Sequence, residues 1–181
     1  MLVILVGVSG ALGPAACSRD GNAAATAASR QSPPRQLTNA SPSIDALMQQ
    51  LLDAVAKNDP ASLQRLRVTE TEYQTIIVPG TVAPGQPPRI IDAETTHFYW
   101  TLLDKRSRDF SAIILKDFGG QKLRRTSLEF TKGPQQYGGY TAYGRVDLHV
   151  VDEQGNAGLV RSGTIAEVDG QYKLIGLNWN D

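Results

Sequence analysis

Residues 110–130, FSAIILKDFGGQKLRRTSLEF, decide the fold class. Before Gly119-Gly120 the apolar residues fall at helical spacing, with Phe110, Ile113 and Ile114 continuing a series that starts at Phe98, Tyr99, Leu102 and Leu103. After it, Thr126, Leu128 and Phe130 alternate with polar residues, the period of a half-buried strand. The glycine pair is a natural helix stop. The chain therefore reads helices first and strands last.

Upstream, Asp92 is placed to cap the helix that ends at Gly119. Unbroken, that helix would run about 26 residues, well above the usual length, so a break near Ser107 is expected. Residues 79–88 hold four prolines and two glycines and read as a loop. Before it, Thr69 and Glu72 form a capping-box pattern ahead of Tyr73, Ile76 and Ile77, with Pro79-Gly80 as the end. Asp59-Pro60 starts a short helix with Leu63 and Leu66 inward. Ser41-Pro42 starts another, in which Ile44, Leu47, Met48, Leu51, Leu52 and Val55 form a single apolar stripe.

Downstream, Val146, Leu148 and Val150 alternate with Arg145, Asp147 and His149. Gly155 marks one turn, and Asp169-Gly170 is a strong hairpin signal. The last strand is expected over Tyr172–Trp179. The sum is an α+β fold, with N-terminal helices packed on one face of a four-stranded antiparallel meander.

Two segments carry a resemblance: LLDAVAKNDPASLQRL over 51–66 and SGTIAEVDGQYKLIGLNW over 162–179. Paired helices, a further helix and long strands of this kind resemble the cystatin-like cone of nuclear-transport-factor-2-like proteins. The resemblance implies a curved sheet wrapped around the helices. It also implies a choice among ketosteroid-isomerase-like or polyketide-cyclase-like enzymes, secretion-system components and binding modules. A fold so widely reused does not itself select a function.

The N-terminus reads as an address. Residues 1–13, MLVILVGVSGALG, are apolar and uncharged. As a helix they would span only about 20 Å, short of a ~30 Å bilayer core, which suits a signal-peptide apolar region. Pro14-Ala15-Ala16-Cys17 follows, and Cys17 is the sole cysteine. Small residues before a lone Cys resemble the lipobox of bacterial lipoproteins. The resemblance implies cleavage before Cys17 and acylation of its thiol, and Ser18 leans toward the outer membrane. Residues 18–42 are rich in Ala, Ser, Pro and Arg, with one Leu. They read as a tether with a reach of roughly 25–30 Å. The organisation is then 1–16 signal peptide, 17–42 lipidated Cys and tether, and 43–181 a single α+β domain.

Composition removes several functions. The 181 residues carry 18 Lys+Arg against 18 Asp+Glu, a balance unsuited to nucleic-acid binding. One Cys and two His make neither a disulfide scaffold nor a Cys/His zinc cage. No phosphate loop and no nucleophile elbow occurs, so no cofactor, metal or catalytic residue is assigned.

The most distinctive segment is Tyr137-Gly-Gly-Tyr140-Thr-Ala-Tyr143, where tyrosines among glycines suit ligand or partner contacts. By parity Tyr143 and Arg145 share a strand face with Asp147 and His149, and that face is expected to be polar and exposed. His97 stands on a helix near Glu94 and Thr101, and Glu129 and Glu167 are isolated acids able to line a cone. The contact candidates are therefore Tyr137, Tyr140, Tyr143 and His149. The expected function is a lipid-anchored, periplasmic, non-catalytic module binding an envelope protein or a small apolar ligand. The alternatives are an anchored cone-fold acid–base enzyme and an accessory subunit of a secretion or envelope complex. An enzyme should show a desolvated acid or His inside a pocket.

Overall fold

The computed structural model describes residues 35–177. The expected signal peptide, Cys17, the tether to residue 34 and Trp179 lie outside those residues.

The helices begin where their caps say. Ser43 accepts a hydrogen bond from the Ala46 amide at 3.1 Å and opens α1, Ile44–Ala56. Asp59 accepts from the Ser62 amide and opens α2, Pro60–Arg65. Thr69 and Glu72 cap each other reciprocally at α3, Glu70–Glu72. The chain then widens into a π-helical turn, Tyr73–Ile77, and tightens again in α4, Val78–Gly80. Pro79 has no amide to donate, and the wider turn shifts the bonding pattern just ahead of it.

After the proline loop, α5 runs unbroken over Ala93–Phe118, 26 residues. The expected break at Ser107 does not occur. Ser107 is fully buried and bonds back to the Leu103 carbonyl at 2.8 Å, while its oxygen accepts from the Leu177 amide at 3.1 Å. A small residue is needed there because the C-terminal segment crosses the helix at that point.

Among the described residues the sheet has five antiparallel strands: β1 Arg124–Gln136, β2 Thr141–Val151, β3 Ala157–Arg161, β4 Ile165–Val168 and β5 Gln171–Leu174. Their order is β1-β2-β4-β5, with β3 also on β2. The expected third strand is thus split in two at 162–164. β5 is shorter than expected, because Gly176 lies against Leu103 and Ser107 and the chain turns there onto α5. On the other side of β5, Ser41 pairs with Tyr172 and Arg67 with Leu174. β1 is the open edge, and it carries Arg124, Arg125, Lys132 and Pro134, which discourage edge-to-edge pairing.

Among the described residues two clusters of buried side chains result. In the larger, Leu47, Met48 and Leu51 of α1, Leu63 of α2, and Phe110 and Ile114 of α5 pack with Val146, Leu148 and Val150 of β2. In the smaller, Leu37, Val68, Ile76 and Ile77 pack with Ala142, Ala166 and Val168. Leu37 is 3% exposed, so the folded part begins before Ser43, and the tether expectation fails for residues 37–42. Among the described residues no helix is long and apolar enough to cross a membrane.

Candidate functional site

A cleft of about 740 Å³ opens where α2, α5 and the α2–α3 linker meet, within the size range of small-molecule sites. Its walls include Gln64, Arg67, Trp100, Asp104, Arg108 and Lys173. The linker places Arg67, since the Leu174 amide donates to the Leu66 carbonyl at 2.9 Å and the Val68 amide donates to Leu174 at 2.7 Å. Bonded on both sides, the linker follows β5 like a further strand. Helix spacing sets out the other wall: Trp100, Asp104, Arg108 and Ser111 recur at one turn of α5.

Arg67 is the centre of this wall and only 3% exposed. Its Nη1 donates to Asp104 Oδ1 at 2.9 Å and to Gln64 Oε1. The guanidinium carbon lies 5.4 Å from the centre of the Trp100 ring, a cation–π arrangement. Nε and Nη2 are buried and have no hydrogen-bond partner among the described residues. Those two nitrogens form one edge of the guanidinium, the fork that takes two oxygens of one oxyanion. Burial pulls the Arg67 pKa below its ordinary value, against the bond and charge of Asp104.

Asp104 is held from two sides, with Arg108 Nη2 at 2.5 Å from its other oxygen. Burial would raise its pKa, but the bonds from Arg67 and Arg108 outweigh burial and keep it below the usual carboxylate range. Gln64 reaches Ser111 through its amide nitrogen at 2.8 Å, which fixes its oxygen toward Arg67.

Beside the cleft lies a buried ion pair. Lys173 is 1% exposed and donates to Glu72 Oε2 at 2.8 Å. Glu72 also accepts from the amides of Thr69 and Thr38 and from the Thr38 hydroxyl. Burial works to raise the Glu72 pKa, and these donors, Lys173 first, outweigh it and hold the carboxyl low. One carboxylate thus joins residues 38, 69, 72 and 173.

The contact candidates read from the sequence do not converge on this cleft. Tyr140 is buried at 8% exposure, with its hydroxyl 2.9 Å from Thr81 Oγ1 and its ring 5.0 Å from that of Tyr137. The hairpin between them is docked, because the Gly138 amide bonds to Val82 and the Gly139 amide to Gly80. Tyr143 is not on the face of Asp147 and His149. Arg145 has φ +50°, a left-handed conformation that resets the alternation. Tyr143 therefore packs on the larger cluster beside Phe130, and its hydroxyl bonds Glu167. That bond, with burial second, pushes the Tyr143 pKa up to about 12. His149 lies across the sheet register near Glu129, with Nε2 at 3.5 Å from Oε1. His97 pairs with Glu70 at 2.6 Å on the surface, not with Glu94.

Sequence reasoning missed Arg67, Glu72 as an ion-pair partner, Lys173, and Trp100 as a wall. The alternation of β5 carried one signal, since a lysine at 173 falls among apolar neighbours. Among the described residues no group of three or more His, Cys, Asp or Glu is placed to hold a metal. Comparison with protein-family models, curated proteins and solved structures finds no match for this chain.

Proposed function

We propose that this chain is a lipid-anchored module on the periplasmic side of the cell envelope, and that it binds a small ligand in the α2–α5 cleft without transforming it. The observation that carries the binding reading is the wall itself: Arg67 lines the cleft beside Trp100, and two of its buried guanidinium nitrogens lack a partner among the described residues. The ionised form of Asp104, the carboxylate of that wall, is favoured by two arginines, the wrong direction for a general acid or base poised near neutral pH. His97 and His149 stand outside it. The anchor is proposed from Pro14-Ala15-Ala16-Cys17 after an apolar segment, with Ser18 favouring the outer membrane. The fold is proposed as a cystatin-like cone, a reading supported by helices preceding an antiparallel sheet that β1 register shifts and the Arg145 kink would bend.

The test is native mass spectrometry of the chain extracted from its own membranes in mild detergent. The expected mass is that of acylated Cys17 onward plus a retained small molecule. A chain cut elsewhere without lipid overturns the anchor, and an acylated chain with nothing retained overturns the cleft.

A second reading, an accessory subunit of an envelope assembly, is favoured by exposed apolar side chains on α5. Phe98, Leu102 and Ile113 are 58%, 39% and 50% exposed, and at 100° per residue they fall within about 60° of one another. Crosslinking from position 102 in the native envelope would trap a partner protein under this reading, and would trap only background lipid and protein if the cleft alone is functional.

A further inference from the structure

The reading of the cleft as a binding site is the premise here, and on it we propose that the ligand is an apolar monocarboxylate. Its carboxylate takes the Nε–Nη2 edge of Arg67, and its body lies along the apolar part of the walls. Three observations converge on that class.

First, the unpaired groups have a shape. Asp104 and Gln64 occupy Nη1, and Trp100 covers a face of the guanidinium, leaving the Nε–Nη2 edge. Two parallel N–H donors on one edge match two oxygens of one carboxylate. A buried donor without a partner carries a standing penalty, which a ligand that bonds both nitrogens removes. Because both nitrogens are covered, the carboxylate reaches them by displacing part of the wall.

Second, the charge of the walls selects a monoanion. The cations are Arg65, Arg67, Arg108 and Lys173. Asp59 lies 3.8 Å from Arg65, Asp104 is shared by Arg67 and Arg108, and Glu72 binds Lys173. Four cations meet three carboxylates, which leaves one positive charge at the Arg67–Arg108 pair. A carboxylate balances it, whereas a phosphate monoester near neutral pH carries up to two charges.

Third, the remaining wall is apolar. Pro60, Ala61, Val68, Ala112 and Leu115 line the cleft with Trp100. Such a lining favours a hydrocarbon or aromatic body over a sugar or a second charged group.

The experiment uses the full chain carrying Cys17→Ser, which avoids acylation, with 2-naphthoate as the probe. Its neutral isostere 2-naphthamide and the ester 2-naphthyl phosphate are titrated in parallel by calorimetry. Naphthoate is expected to bind about tenfold or more tighter than either, the scale of one charge-assisted bidentate contact. The Arg67 Nε–H cross-peak in a ¹H–¹⁵N spectrum should shift with naphthoate and stay in place with the amide. Arg67→Lys should cost about tenfold for naphthoate and narrow its advantage over the amide, since lysine is a point charge without the fork. Ala112→Trp, on the exposed side of α5, should abolish both by filling the cleft without touching Arg67.

Equal binding of naphthoate and naphthamide, or an unmoved Arg67 resonance, overturns the carboxylate assignment and leaves the cleft as a binding site. Tighter binding of naphthyl phosphate overturns the choice of a monoanion. Binding of none of the three, with nothing retained in native mass spectrometry, overturns the inference together with its premise.

Discussion

Leu51 and Lys173 are equally hidden from water, at 0% and 1% exposure, and opposite forces hold them there. Leu51 sits in the larger cluster, where each helix brings an apolar stripe to β2. Burying such a side chain contributes about 1.5–3 kcal/mol with no directional requirement. Lys173 lies on the strand face that carries the smaller cluster, where a charge is tolerated only because Glu72 meets it and three further donors complete the carboxylate. One region is held by area and the other by a pairing that must be correct.

The largest expected effect breaks that pairing. Glu72→Ala strands the Lys173 charge and should cost about 3–5 kcal/mol in urea unfolding. Replacing both with methionine should restore the part of the loss that comes from the stranded Lys173 charge, while the Thr38 and Thr69 donors still lose their acceptor. The pH dependence has a definite sign. Glu72 is depressed below its ordinary 4.5, so its stabilisation is complete above that value and drains away as pH falls through the folded value. The urea midpoint of the parent chain should therefore fall on acidification below pH 4.5. The double-methionine chain should show a shallower fall, and equal slopes would show that Glu72 is not the group responsible.

Leu51→Ala is the matching cut on the apolar side. It should cost about 2–5 kcal/mol, by lost transfer energy and an unfilled cavity. It should leave the acid limb parallel to that of the parent, since no titrating group is touched. A changed slope would mean that the two clusters are coupled and that the contrast between them is too sharp.

That contrast also explains what the sequence disclosed. The caps at Ser43, Asp59, Thr69 and Asp92 are local, because a side chain and an amide three residues on satisfy each other. The apolar stripe of α1 and the switch of period at Gly119-Gly120 are local as well. The cleft is not local. Arg67, Trp100 and Lys173 are brought together by the linker's bonds to Leu174 and by the reach of α5, and no spacing rule connects positions 67, 100 and 173. Parity failed for Tyr143 for a related reason. The single left-handed residue Arg145 reverses the alternation, and arginine is not a residue whose sequence announces that conformation.

Smaller effects sharpen the same contrast at the backbone. Gly139 and Gly80 meet so closely that a Cβ on Gly139 would lie 2.5 Å from the Gly80 Cα. Gly139→Ala should cost about 1–3 kcal/mol by overpacking. The loss should be local, with faster hydrogen exchange at Gly138 and Gly139, whose amides bond to Val82 and Gly80. Unchanged exchange there would mean that the hairpin tip is not held by this approach.

The smallest effect tests whether a polar pair beside the larger cluster behaves like the buried one. Tyr143 and Glu167 are only half-buried, so solvent shares their charge and no large stability term follows. Their coupling shows instead in titration. The Glu167 carboxylate disfavours the phenolate and pushes the Tyr143 pKa up to about 12. A group raised in the folded state stabilises below its unfolded value, near 10, and that contribution is lost as pH rises toward 12. Absorbance at the phenolate band should resolve one late-titrating tyrosine in the parent chain, and Glu167→Gln should return it toward 10 with a near-unchanged urea midpoint at pH 7. A large drop in that midpoint would place Glu167 with Glu72, as a group on which the fold depends, and would erase the distinction between pairing at the rim and pairing in the interior.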